Sequence, residues 1–286
     1  MSILFIGGGN MASAIAGGLV ARGRPAREIA IVDPVEAQRA KVERALPGVR
    51  TFATPSREAA AGAKVVVLAV KPQQMREACA ALAPHVAQVP VVLSIAAGSR
   101  STDLSRWLGG YARIVRAMPN TPALVGAGIS GIWSAPSVAP ADRAAAKAIL
   151  EACGEVVEVE REDALDAVTG VSSSGPAYVF YFLEALEAAA RAQGFDAAVA
   201  RRLAYATFAG AVTLAQSRPE DPATLRAQVT SKGGTTERGI AALEAGQVRA
   251  AIEAAVDAAT KRCGSDPRSG RPWPPGRCGW WPPTDR

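Results

Sequence analysis

The chain has 286 residues, 49% hydrophobic and 20% charged, with a formal net charge of +6. That is the composition of a soluble globular protein, long enough for one large domain or two medium ones. One histidine and four cysteines with no C-x-x-C pair exclude Ser-His-Asp, Cys-His and most zinc chemistries, together with any disulfide framework.

No metal site is predicted from this inventory. The positive excess is not gathered into Lys/Arg runs with interleaved aromatics, so nucleic acid is not expected as a partner. A mild excess of this kind suits anionic small molecules. The N-terminus enters an apolar strand at once, with no basic leader segment. The longest apolar helical stretch begins at Leu203, is too short to span a bilayer and contains two threonines. A cytoplasmic protein without membrane contact is the expectation.

The chain opens on "ILFIGGGNMASAIAGGLVARG", a short apolar run, a glycine turn and a helical pattern. The glycines fall as Gly7-x-Gly9-x-x-Ala12. Gly7 permits a tight turn, Gly9 lets backbone approach a pyrophosphate, and Ala12 lets the helix pack on the strand. The helix start then aims its free N–H groups at the phosphates. The next strand, "EIAIVDP", ends at Asp33, 26 residues after Gly7. A carboxylate there bonds a ribose 2′-OH and repels a 2′-phosphate, which favours NADH. Arg22 and Arg24 in the preceding loop leave NADPH open.

Three more apolar runs, Lys64 to Val70, Val89 to Ile95 and Ala112 to Met118, read as buried strands of a parallel sheet. His85 follows Pro84 in a connection and is expected at the surface. The loops "AVKPQ", "SIAAGS" and "MPNTPA" end these strands, where doubly wound sheets bind ligands. "GAGISGIWS", a helical segment and "EVVEVE" then complete the sheet near residue 160. "REDALDAVTG" reads as a helical connector.

The second half is helical. "SSSGPAYVFYFLEALEAAARAQG" carries Pro176 where a first helical turn would lie. This helix and the one through "RRLAYATFAGAVTLAQ" are apolar on most faces, as in helices buried on all sides. A segment this short cannot bury both, so an intertwined helical dimer is predicted. The pattern gives a dinucleotide-binding Rossmann domain over 1–160 and a helical domain over 161–262. The starts at Ser172 to Gly175 and Gly233 to Thr236 are candidates for facing the cofactor.

A nicotinamide cofactor implies hydride transfer, and carbonyl substrates usually need a His or Lys acid. No lysine lies between Ala164 and Ser231. A C=N substrate can take its proton from solvent, so elimination favours an imine. "SKGGTT" has its lysine before the glycines and lies between helices, unlike a phosphate loop. As a turn into a helix it would present the amides of Gly234, Thr235 and Thr236 as a nest for a carboxylate. A plain helix–helix turn is the other reading of the same residues.

Together "FIGGGNMASAI", "LAVKPQ", "MPNTPALVGAG", "VTGVSSSGPAYVF" and "TSKGGTTERGI" resemble, in that order, the pyrroline-5-carboxylate reductases. The resemblance implies reduction of 1-pyrroline-5-carboxylate to L-proline with NADPH or NADH, and a helical domain that makes homodimers or larger assemblies of dimers. It places Ile6, Gly7, Gly8, Gly9, Asn10 and Met11 at the pyrophosphate. Asp33 would meet the ribose, and Ser56 stands where relatives often have Asn near the adenosine. Ala69, Val70, Lys71 and Pro72 would line the cofactor, with Ile95, Ala96 and Ala97. The Gly234, Thr235 and Thr236 amides would hold the substrate carboxylate, and the Thr236 hydroxyl would contact the ring nitrogen. The alternatives are a related imine or β-hydroxyacid-type reductase, or a dinucleotide sensor without catalysis.

The chain departs from the family after Arg262. Residues 263–286 hold six prolines, four glycines and three of the five tryptophans, as a frame change in the gene would leave. A disordered tail that continues no helix is predicted there.

Overall fold

The computed structural model describes residues 2–264; nearly all of the atypical tail lies outside the described residues. Strand β1 (Ser2–Ile6) leads through α1 (Asn10–Ala21) to β2 (Ile29–Val32), and α2 (Glu36–Ala45) leads to β3 (Arg50–Phe52). Helix α3 (Arg57–Ala60) precedes β4 (Ala63–Leu68), α4 (Met75–Val86) precedes β5 (Val91–Ser94), and α5 (Ser101–Trp107) precedes β6 (Ile114–Met118). Strands β7 (Gly128–Ser134) and β8 (Gly154–Glu158) flank α6 (Pro140–Glu151). All eight strands form one sheet in the order β3-β2-β1-β4-β5-β6-β7-β8.

Side chains alternate across this sheet, as a period of two requires. Val65 and Val67 of β4 join the core under α1 and α6, with Ile15, Leu19 and Ile149. Val66 and Leu68 join the opposite core under α4 and α5, with Met75, Leu82 and Leu104. Burial on both faces is why these strands read as unbroken apolar runs.

The sheet is not wholly parallel. Strands β1 to β6 pair in parallel, but β7 runs antiparallel to β6. The connection over 119–127 is too short for a parallel crossover, which needs a dozen or more residues. The 12-residue α6 supplies such a crossover, and β7 and β8 are parallel. Strand β3 has three half-buried residues and leaves little trace in the sequence. His85 lies within α4, which continues through Pro84, and it is half-buried rather than in a connection.

The second half is helical: α7 (Ala164–Val168), α8 (Gly175–Ala192), α9 (Ala197–Gln216), α10 (Pro222–Gln228), α11 (Thr235–Ala245) and α12 (Val248–Gly264). Ser172 to Gly175 leads into the start of α8, with Ser174 as cap and Pro176 in the first turn. Helix α7 runs on through a π-turn at Thr169–Ser173, and Ser174, with φ −82° and ψ −23°, joins that turn to α8. Thr169 and Ser172 donate their hydroxyls to the carbonyls of Leu165 and Val168 four residues back, a bonding that bends helices without ending them. No residue of α8 is buried in the single chain. Phe180, Tyr181, Leu203, Tyr205 and Val212 are exposed on α8 and α9, as expected of helices that await a partner. Among the described residues no helix is long and apolar enough to cross a membrane.

Candidate functional site

The carboxyl ends of β1, β4 and β5 bring three of the predicted loops together. Gly7 donates its N–H to Val32 O at 2.7 Å, Ala69 to Ile6 O at 2.8 Å, and Ile95 to Leu68 O at 3.1 Å. Ile6–Met11, Ala69–Pro72 and Ile95–Ala97 therefore share one end of the sheet. Gly7 has φ +98°, and a Cβ there would lie 2.8 Å from Ala69 O and 3.0 Å from Val70 Cγ1. Gly9 differs: a Cβ there would meet nothing within 4 Å. Gly9 caps α1, and it and Asn10 are exposed, so the backbone at this helix start, whose first amides have no intrahelical acceptor, is open to approach. That cradle fits a pyrophosphate. Lys71 and Pro72 are exposed at its rim.

Asp33 is tied into this cradle. Its Oδ2 accepts from Gly8 N–H and its Oδ1 from Val35 N–H, both at 2.9 Å. The carboxylate thus fixes the glycine turn. Two residues not singled out in the sequence complete the loop. Gln38 donates through Nε2 to Gly8 O, and Arg39 donates through Nη1 to Asp33 O at 2.8 Å and Pro34 O at 3.1 Å. Their positions on α2, one turn after a strand-end acid, were the only local signal. Arg24 is drawn to Glu28 at 3.0 Å. Ser56 caps α3, its Oγ accepting from Ala59 N–H at 3.1 Å.

The "MPNTPA" loop is joined to the "SSS" segment rather than left open. Asn120 donates through Nδ2 to Ser172 O at 3.2 Å and accepts from Ile129 N–H at 2.9 Å. Ser173 donates its hydroxyl to Pro119 O at 3.0 Å. These bonds clip the helical half to the sheet.

The second predicted cluster opens α11. Gly233 takes φ +74°, and its N–H donates to Glu237 Oε2 at 2.6 Å. Gly234 caps the helix, but its own N–H donates to Ser231 O at 3.0 Å. The tight turn occupies that amide, so the open donors of the nest are Thr235 and Thr236, which have no intrahelical acceptor. Helix α11 packs against α12. Among the described residues no hydrogen bond or ion pair joins residues 222–247 to the sheet half.

No group of three or more His, Cys, Asp or Glu able to hold a metal occurs among the described residues. Burial pushes the Cys79 thiol up to about 12, and burial also raises Cys153 and Cys263, so none is a ready thiolate. A groove of about 340 Å³ between α8 and α9, lined by Leu186, Leu203 and Thr207 among others, is apolar and lies apart from both clusters.

The chain is 44% identical to the pyrroline-5-carboxylate reductase of Pseudomonas aeruginosa over 262 residues, 91% of this chain and 94% of that protein. The Synechocystis pyrroline-5-carboxylate reductase is 44% identical over 258 residues, 90% and 95% of the two chains. This chain belongs to the pyrroline-5-carboxylate reductase family. The solved structure of the family member from Coxiella burnetii matches with a TM-score of 0.86 at 38% identity, covering 92% of this chain and 97% of that one. A Plasmodium falciparum pyrroline carboxylate reductase, solved with NADP bound, matches with a TM-score of 0.81 at 26% identity, over 92% and 97%. Residues 162–265 match the family's dimerisation model, and residues 2–98 match a model described as NADP oxidoreductase, coenzyme F420-dependent. The dimerisation match covers the helices whose apolar faces are exposed in the single chain.

Proposed function

We infer that the protein reduces the C=N bond of 1-pyrroline-5-carboxylate to L-proline, the last step of proline biosynthesis, with NADPH or NADH. The observation that carries this reading is the pairing, in one chain, of a dinucleotide cradle with a helix-start nest at Thr235 and Thr236. Neither cluster contains a histidine. β-Hydroxyacid-type reductases use a helical lysine, and the chain has none between Ala164 and Ser231.

The open backbone around Gly9 fits the pyrophosphate, with Ile6 to Met11 around it. Asp33 serves the ribose, and Ser56 lies towards the adenosine. Ala69 to Pro72 and Ile95 to Ala97 line the nicotinamide half. Bound NAD(P)H supplies the hydride. The Thr235 and Thr236 amides hold the substrate carboxylate, aided by the positive end of α11. Gly234 shapes the turn that aims them. The Thr236 hydroxyl hydrogen-bonds the ring nitrogen and fixes which face of the C=N bond is presented. The imine arrives protonated from solvent, so no side chain has to titrate.

The chain divides into a cofactor domain over 1–160 and a substrate and dimerisation domain over 161–262. Helix α11 makes no hydrogen bond to its own cofactor domain, so we assign its nest to the cofactor of the partner subunit in a homodimer, with assembly of dimers beyond that. The working compartment is the cytoplasm.

Thr236→Ala tests the assignment. Losing one hydrogen bond to a charged group, worth ~1.5–3 kcal/mol, lowers kcat/KM about 10–100-fold, while cofactor affinity stays unchanged. Loss of cofactor affinity instead overturns the role. Mixing Thr236→Ala subunits with subunits blocked at Gly9 (Gly9→Val) restores turnover if the nest works across the interface. No restoration returns the nest to its own chain.

A further inference from the structure

Arg116 is a charge in the middle of an apolar strand, only 3% exposed. Its Nη1 meets Glu162 Oε1 at 2.9 Å. The same carboxylate accepts the Ser101 N–H at 2.6 Å and the Ser101 hydroxyl at 2.8 Å. Beside it Arg100 pairs with Asp166, which is 7% exposed. Glu162 and Asp166 belong to the connector and to α7. Arg100 and Ser101 close the loop that begins with Ile95, Ala96 and Ala97.

That loop is held at both ends. Ile95 N–H is bonded to Leu68 O at 3.1 Å, and Ser101 is held twice by Glu162. Between them Ala96 and Ser99 are buried. The cluster is a poor device for stability alone. It buries charge, and Arg116 Nε has no hydrogen-bond partner. Apolar residues of similar volume often stabilise better than such a cluster, and in some proteins buried polar groups of this kind are kept because they fix geometry.

We propose that Glu162 is a positioning residue for hydride transfer: by holding Ser101 it sets the depth of Ala96 and Ala97 against the nicotinamide ring, and through α7 it ties that depth to the helical domain. Glu162 touches neither substrate nor cofactor. The proposal rests on the reading that Ile95 to Ala97 line the nicotinamide. Hydride transfer is sensitive to placement, and a shift of ~1 Å costs on the order of a hundredfold in rate.

The test compares two ligands, NADP⁺ and 2′-phospho-ADP-ribose, which lacks the nicotinamide. Glu162→Ala releases Ser101. The double variant Arg116→Leu/Glu162→Ala does the same without stranding a buried guanidinium, so one of the two folds. The expected result is a kcat lower by about a hundredfold, with NADP⁺ binding weakened by a smaller factor because no contact to the cofactor is itself removed. Fragment binding is unchanged. Glu162→Gln keeps an acceptor and a donor for Ser101 and restores most of the rate. Equal weakening of both ligands, or wild-type kcat in both alanine variants, overturns the proposal. Ala97→Val separates the underlying reading. If it alters neither NADP⁺ binding nor kcat, Ile95 to Ala97 do not line the nicotinamide and the proposal falls with that reading.

Discussion

Gly7 and Gly9 lie two residues apart in one motif, yet alanine will fail differently at each. At Gly7 the φ of +98° places a Cβ 2.8 Å from Ala69 O. The left-handed backbone costs ~1–2 kcal/mol, and forcing the contact apart costs ~1–3 kcal/mol more. The carbonyl cannot retreat freely, because Ala69 N–H is bonded to Ile6 O and Gly7 N–H to Val32 O. The sum, about 2–5 kcal/mol, lowers Tm by about 5–20 °C in a chain of this size. At Gly9 φ is −64° and ψ −178°, which alanine adopts, and nothing lies within 4 Å of its Cβ. Stability there changes by less than about 0.5 kcal/mol. The new methyl occupies the approach to the pyrophosphate, so cofactor affinity falls by about tenfold or more. Thermal melts without cofactor and fluorescence titration with NADPH separate the two. A Gly7→Ala protein that melts with the wild type, or a Gly9→Ala protein that melts as low as Gly7→Ala, would refute the reasoning.

Asp33→Ala removes acceptors from the Gly8 and Val35 amides. Because Gly8 is buried, stability falls by ~1–3 kcal/mol. Urea unfolding checks this, and a change confined to the NADH/NADPH ratio would show that Asp33 does not fasten the turn. With its thiol pushed up to about 12, Cys79 is about one part in 10⁴ thiolate at pH 8 and escapes iodoacetamide in the folded protein; native labelling mapped by mass spectrometry would contradict its burial. The same shift has a pH consequence. The unfolded chain ionises this thiol near its ordinary value of 9.0, while the folded chain holds the proton to about 12. Stability therefore falls as pH rises above 9, and Cys79→Ala flattens that fall in melts from pH 8 to 10.5. Phe180→Glu puts a charge on a side chain 63% exposed in the single chain. Light scattering should find folded monomers that bind cofactor but do not turn over, and an unchanged assembly mass would move the interface elsewhere.

The loops gathered at one end of the sheet were legible because their signals are local. A glycine turn between an apolar run and a helical pattern spans a few residues, and Asp33 closes the next strand. What stayed hidden depends on contacts distant in sequence. Ser101 and Glu162 are 61 positions apart, and no spacing rule pairs them. The trace that was available is Arg116 within "ARIVRAM", since a charge in a buried strand requires a partner. The reversal of β7 was readable from the short connection after Met118. The start of α8 was legible, since Gly175-Pro176 does open its first turn; the π-turn before it was not, because nothing local in "VTGVSSS" announces a wider helical turn. At "SKGGTT" the turn into a helix was legible while the Gly234–Ser231 bond was not, because a turn's internal hydrogen bonds depend on its realised φ.

The central claim is imine reduction, and turnover tests it most directly. Purified full-length protein is supplied with 1-pyrroline-5-carboxylate and either NADPH or NADH. The account predicts cofactor oxidation matched mole for mole by L-proline, at a rate proportional to enzyme. Absence of L-proline with both cofactors, from protein that still binds them, would contradict it.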